Sequence, residues 1–358
     1  MDSQNLEAEA KKRPTDARAL ARWGSYLAQR GQYTKAIPFL KRAIALKPNF
    51  VAALHNLAIC YENLGRIDLA AETLEREVRI APNLPREQIK LGYLYVQLER
   101  MEEAEKAFEA ARHLMPQSSE PLVALASVRY ADYHYEEAEK LLKDAISINP
   151  LSAAAYTNLG GVYFATSRLD QAEEALRKSI ALQENSAAAW EMLGRVQAAR
   201  GGPASQEQAL RSLEKAVELS PTSAQARYYL GNLYLRKGMW IQAEKNLRES
   251  VRLNPYDSSA WIALGRTLRH RGQTAEADYV QKHGFTLRRK TEEVRQILSR
   301  NVFDVNSYRR LAQLYMELGK PFHSLYILKQ ALQKYPHHKE LTVRWKRLRS
   351  ELSPDEHR

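Results

Sequence analysis

Residues 85–118 read PREQIKLGYLYVQLERMEEAEKAFEAARHLMPQS. Leu91, Tyr95 and Leu98 recur at helical spacing, and so do Ala104, Phe108, Ala111 and Leu114. Between the two sets lies a short polar turn at Glu99-Arg100. Gly92 and Ala104 are small enough for two helices to cross closely, and Pro116 ends the second. The stretch is predicted to be a helical hairpin.

The same pattern recurs along the chain at a step of 34 residues. The first unit spans 17–50, with Trp23-Gly24, Ala36, Leu40 and Pro48, and the second spans 51–84, with Leu57-Ala58, Ala70, Leu74 and Pro82. The stretch above is the third. The fourth, 119–152, carries Leu125-Ala126, Ala138, Leu142 and Pro150. The fifth, 153–186, has Leu159-Gly160, Ala172 and Leu176, with Glu184 where proline would fall. The sixth, 187–223, keeps Leu193-Gly194, Ala209, Leu213 and Pro221 but is three residues longer. That excess is assigned to a loop at Gly201-Gly202-Pro203-Ala204-Ser205, where added length costs little. The seventh, 224–257, returns to register with Leu230-Gly231, Ala243, Leu247 and Pro255.

The eighth unit, 258–291, opens in pattern with Trp261, Leu264-Gly265 and Ala277 and then departs. Gln281, Gly284 and Arg289 stand where leucine, alanine and proline are expected. Residues 292–304 are additional to the frame, and Thr291-Glu292-Glu293-Val294 is predicted to cap a short extra helix there. The ninth unit, 305–338, recovers with Leu311-Ala312, Leu328, Ala331 and Pro336. Within 339–358, Leu341, Trp345, Leu348 and Leu352 share one helical face, as in an amphipathic end cap. Residues 1–16 are expected to form a short capping segment at the other end.

Stacking follows from energetics. A single hairpin loses roughly 50 kcal/mol of conformational entropy, at about 1.5 kcal/mol per residue, which its own apolar stripe cannot offset. Each hairpin must bury that stripe on the next, so an all-α stack is predicted. The offsets (Trp or Leu, Leu-Gly, Tyr, Ala, Leu or Phe, Ala, Pro) resemble the signature of the tetratricopeptide repeat family over residues 17–338, apart from 292–304. The resemblance implies a right-handed superhelical α-solenoid of helix-turn-helix repeats. It further implies a non-enzymatic scaffold or adaptor, whose first helices line a concave groove for a peptide or helix of a partner protein.

By that resemblance, repeat positions 2, 5, 6, 9, 12 and 13 point inward, giving three zones here. The last zone carries Arg195, Tyr228, Tyr229, Asn232, Arg236, Arg266, Arg269, His270, Arg309 and Arg310. Aromatic rings alternating with arginines suit an acidic or C-terminal peptide, since Tyr and Arg dominate binding energy at many interfaces. The first zone, a secondary anion-binding end, carries Arg18, Arg22, His55, Asn56, Arg86, Lys90 and Tyr93. It resembles in part the carboxylate clamp of some family members: Asn56, Arg86 and Lys90 match, but Ala21 and Ser25 replace the first-repeat Lys and Asn. The middle zone is small and nearly neutral, with Ala124, Ser127, Ala131, Ala154, Thr157, Gly161 and Ala188 beside Glu120 and Glu191.

Composition excludes several classes. No phosphate-binding loop, dinucleotide fingerprint or His-Glu-x-x-His motif is present, so neither enzyme chemistry nor a cofactor is expected. His337-His338 falls in a loop and no metal site is expected there. Cys60, the single cysteine, lies in an apolar stretch and reads as a packed thiol. No run is long and apolar enough to span a bilayer. The polar N-terminus lacks a signal-peptide core. A cytoplasmic location is expected, or a periplasmic one if a leader has been removed.

The net charge of +12 is uneven: residues 258–358 hold 20 Lys and Arg against 10 Asp and Glu, an excess of ten. That basic quarter motivates a competing reading, binding of nucleic acid or an anionic surface, through Arg288-Arg289-Lys290 and the Arg344–Arg349 segment. The motifs of nucleic-acid readers are absent.

Overall fold

The structure is a computed structural model that describes residues 3–300 and 303–352. Parts of the expected segments 1–16, 292–304 and 339–358 therefore lie outside the described residues, at 1–2, 301–302 and 353–358. Twenty α-helices and no strand occur among the described residues. The chain forms two compact units, one of residues 1–128 with 321–358 and one of residues 129–320.

In the first unit, α1 (Ser3–Lys12) packs on the hairpin of α2 (Ala17–Gln29) and α3 (Tyr33–Leu46). Two further hairpins follow: α4 (Val51–Asn63) with α5 (Ile67–Ile80), and α6 (Pro85–Gln97) with α7 (Met101–Leu114). The unit boundary falls within α8 (Glu120–Ala131). The apolar positions read from sequence form the core: Leu40, Leu74 and Phe108 on the second helices are fully enclosed. Gly92 exists for that packing, since a Cβ there would lie 2.3 Å from Phe108 Cε1.

The same unit contains the C-terminal pair α19 (Pro321–Lys334) and α20 (Lys339–Leu352). Leu341 and Leu348 bury the predicted apolar face of α20, which packs on α19. The pair also reaches the second and third hairpins. Lys329 Nζ meets Glu72 at 2.8 Å, and the Arg100 guanidinium lies between the rings of Tyr95 (4.3 Å) and Tyr326 (5.1 Å). Nothing in the local pattern of 305–358 announces that docking.

The second unit holds α9 (Tyr135–Ile148), then the pairs α10 (Ala153–Ala165) with α11 (Leu169–Leu182) and α12 (Ala187–Arg200) with α13 (Pro203–Leu219). Next come α14 (Ala224–Arg236) with α15 (Trp240–Leu253) and α16 (Ser258–His270) with α17 (Thr274–Ser299), and then α18 (Val305–Glu317). The first helices α10, α12, α14 and α16 touch one another in that order, so they form one layer. Ser152, Ser186, Ser223 and Asp257 cap these first helices through their side-chain oxygens.

Two local expectations are corrected. The three extra residues of the sixth unit do not lengthen a loop; they lengthen α13 to 17 residues, against 14 in α11 and α15. The turn shrinks to Gly201-Gly202, both at positive φ, and Pro203 opens the helix with its φ preset. Second, Thr291 caps nothing. It sits inside α17, a single helix of 26 residues, with its hydroxyl donating to the Leu287 carbonyl. With Arg289 in place of the terminating proline, the helix runs on. Gln281 lies where leucine packs elsewhere, its aliphatic stem filling the space over Gly265.

Candidate protein-binding face

The expected face of the second unit is built on α12, α14, α16 and α18. Its best-formed part is a cluster of rings around one cation. The Arg195 guanidinium lies 5.3 Å from the Phe164 ring on α10 and 4.4 Å from the Tyr229 ring on α14. Tyr228 and Tyr229 tilt against each other at 5.1 Å. Glu191, one turn before Arg195, stands 3.8 Å from it, and burial raises the Glu191 pKa. Burial also raises the pKa of Tyr130, beside Arg195 and Tyr229, so its hydroxyl stays protonated. Phe164 and Tyr130 are absent from the sequence-derived site, although each occupies position 12 of its repeat, one of the inward positions.

Not every expected cation is available. Arg269 is tied to Asp278 at 2.5 Å within its own hairpin. Arg310 is held by both oxygens of Glu293, at 2.6 and 2.7 Å, which lowers the Glu293 pKa. His270 stacks flat on Trp240 with centroids 4.3 Å apart. Arg309, on the same helix as Arg310, is half-buried. Arg236 and Arg266 differ: both are exposed, on consecutive first helices, and neither makes an ion pair among the described residues. Asn232, half-buried one turn before Arg236, makes no side-chain hydrogen bond among the described residues. Arg266 lies near enough to Tyr228 to oppose the rise that burial causes in that phenol's pKa.

The expected anion-binding end of the first unit is partly neutralised by its own acids. Arg22 meets Glu9 at 3.1 Å and Lys90 meets Glu62 at 3.2 Å. Asn56 spends its amide on the Ala52 carbonyl, one turn back in α4. Tyr93 is exposed and packs edge-on against Phe108. Arg18 and Arg86 remain exposed. In the middle zone, Ala124 and Gly161 are buried and Thr157 bonds Ser179 at 2.7 Å, so packing already uses part of it.

The basic excess of residues 258–358 is divided between the two units. Much of it is paired: Arg271 with Glu244, Lys290 with Glu317, Arg344 with Glu340 and Arg347 with Glu351. No described helix is long and apolar enough to cross a membrane.

Comparison with known proteins bears on the repeats. Family profiles described as Tetratricopeptide repeat match residues 27–89 and 129–196, 246–279, 88–111 and 4–49. A profile described as TPR repeat matches 205–238. No curated protein matches the sequence. Among solved structures, the APC/C hetero-tetramer Cut9-Hcn1 is similar at a TM-score of 0.57 and 18% identity. That match covers 74% of this chain and 52% of the other, so this chain spans about half the relative's length. Pseudomonas aeruginosa pilF matches at 0.48 and 19% identity, over 57% of this chain and 90% of that one. The Thermus thermophilus TPR protein TTC0263 matches at 0.45 and 24%, over 54% and 98%. At 18% identity the likeness to Cut9-Hcn1 is one of fold: an all-α repeat solenoid.

Proposed function

The chain belongs to the tetratricopeptide repeat family of protein-interaction scaffolds, and on that premise we propose that the α14–α16 face holds an acidic or C-terminal segment of a partner protein. The observation that carries this reading is the pair Arg236 and Arg266. Both are exposed and without an ion pair among the described residues, whereas Arg269 and Arg310 are taken. An arginine left unpaired beside phenol rings offers a fork of donors for a carboxylate and a flat cation for stacking. Tyr228, Tyr229 and Asn232 lie on the same helix as Arg236. The role is non-enzymatic: the partner is held, not converted.

The test is affinity capture from the native source with mass spectrometry, comparing wild type with Arg236→Glu/Arg266→Glu. A partner lost from the double variant and retained by Arg269→Glu supports the assignment. Equal recovery of every partner by both variants removes the face from consideration. A micromolar complex requires only about 8 kcal/mol, so two reversed charges suffice to abolish it.

A further inference from the structure

Three side chains from α4, α5 and α6 meet in the first unit. His55 Nδ1 lies 3.2 Å from Glu77 Oε1 and 3.8 Å from Glu87 Oε1. One donor atom from each residue falls within 4.8 Å of the others. Glu77 is enclosed, its side chain only 2% exposed, and its second oxygen, Oε2, accepts no hydrogen bond among the described residues. An enclosed carboxylate normally satisfies both oxygens, because leaving one bare forfeits solvation without return. Lys90 stands near His55 but is tied to Glu62. Around the imidazole Glu77 and Glu87 thus face a single cation, Lys90, whose charge is already shared with Glu62.

We propose that His55, Glu77 and Glu87 form a binding site for a divalent transition metal of the Zn2+ type. Four donors at about 2.0–2.2 Å from zinc stand roughly 3.4 Å apart at the corners of a tetrahedron. The two His55–carboxylate separations bracket that edge, and a dication would draw the two carboxylates together. One imidazole with two carboxylates suits zinc and its neighbours, whereas calcium and magnesium require six or more oxygens. Three helices supply one ligand each, and the fourth position opens on the side where His55 is 37% exposed. The site lies in the first unit and does not rest on the α14–α16 face.

The test is calorimetric titration of the tag-free, chelator-treated full chain with Zn2+, with Co2+ as a spectroscopic probe. Wild type should show one saturable site, visible d–d absorption with Co2+ and a rise in melting temperature with metal. His55→Ala and Glu87→Gln should each weaken that binding at least tenfold and abolish the thermal shift. Glu87 is partly exposed, so its variant reads the site even where replacing enclosed Glu77 disturbs folding. Absence of saturable binding overturns the proposal. So does wild-type affinity in both variants, which would move the ion to other histidines.

Discussion

The Arg195 guanidinium lies 4.4 Å over the ring of Tyr229, one hairpin further along the chain, and 5.3 Å from that of Phe164, one hairpin back. One cation thus links the first helices of three successive hairpins, and Arg195 is only 19% exposed. Such contacts contribute roughly 0.5–2 kcal/mol when partly desolvated. A double-mutant cycle of Arg195→Met and Tyr229→Leu, followed by urea unfolding, should give a coupling of about 1 kcal/mol. Strict additivity would show the contact to be energetically idle.

Adjacent glycines in α10 should respond oppositely to alanine. A Cβ on Gly160 would stand 2.6 Å from Leu176 Cγ, while one on Gly161 meets only Met192 Cε at 3.8 Å. Gly160→Ala is expected to cost about 1–3 kcal/mol by overpacking. Gly161→Ala should gain up to about 1 kcal/mol from reduced unfolded-state freedom. Thermal melts of the two variants check the contrast.

Acid should weaken the clasp between α9 and the following hairpin. The Arg168 guanidinium, bonded to Glu139 Oε2 at 2.6 Å, pulls the Glu139 pKa down to about 2, with Lys143 assisting. Because the folded pKa lies below the ordinary glutamate value of 4.5, this stabilisation is present above that value and is lost as pH falls towards 2. Arg168 is 36% exposed, so the loss is on the order of 1 kcal/mol. Melting temperature measured from pH 5 to pH 2 should fall less steeply in Glu139→Gln than in wild type.

The lone thiol should be inert in the folded chain. Cys60 is fully buried, and desolvation raises its pKa to about 11, which leaves almost no thiolate near neutrality. A thiol-specific chromogenic reagent should label it negligibly in buffer and stoichiometrically in denaturant. Rapid labelling in buffer would show that α4 opens readily.

The helices were legible from sequence because they rest on local periodicity. Gly92 under Phe108 and Leu40, Leu74 and Leu247 at the second-helix core are direct consequences of the 34-residue pattern. The candidate face was legible only as a set of positions expected to point inward. Which arginines remain open, Arg236 and Arg266, and which are spent, Arg269 and Arg310, depends on acids in other helices. Counting charges along a chain cannot show that pairing.

Sequence by itself determined that this is an all-α repeat stack, with prolines and small residues marking where helices stop and cross. Tertiary structure alone decided that α17 runs on past Thr291 and that α13 absorbs three residues. It also decided that α19 docks by α5 and that His55, Glu77 and Glu87 converge. The reason is physical: helix periodicity is encoded within a few residues. Ion pairing, docking and ligand convergence are set by distances between segments far apart in the chain.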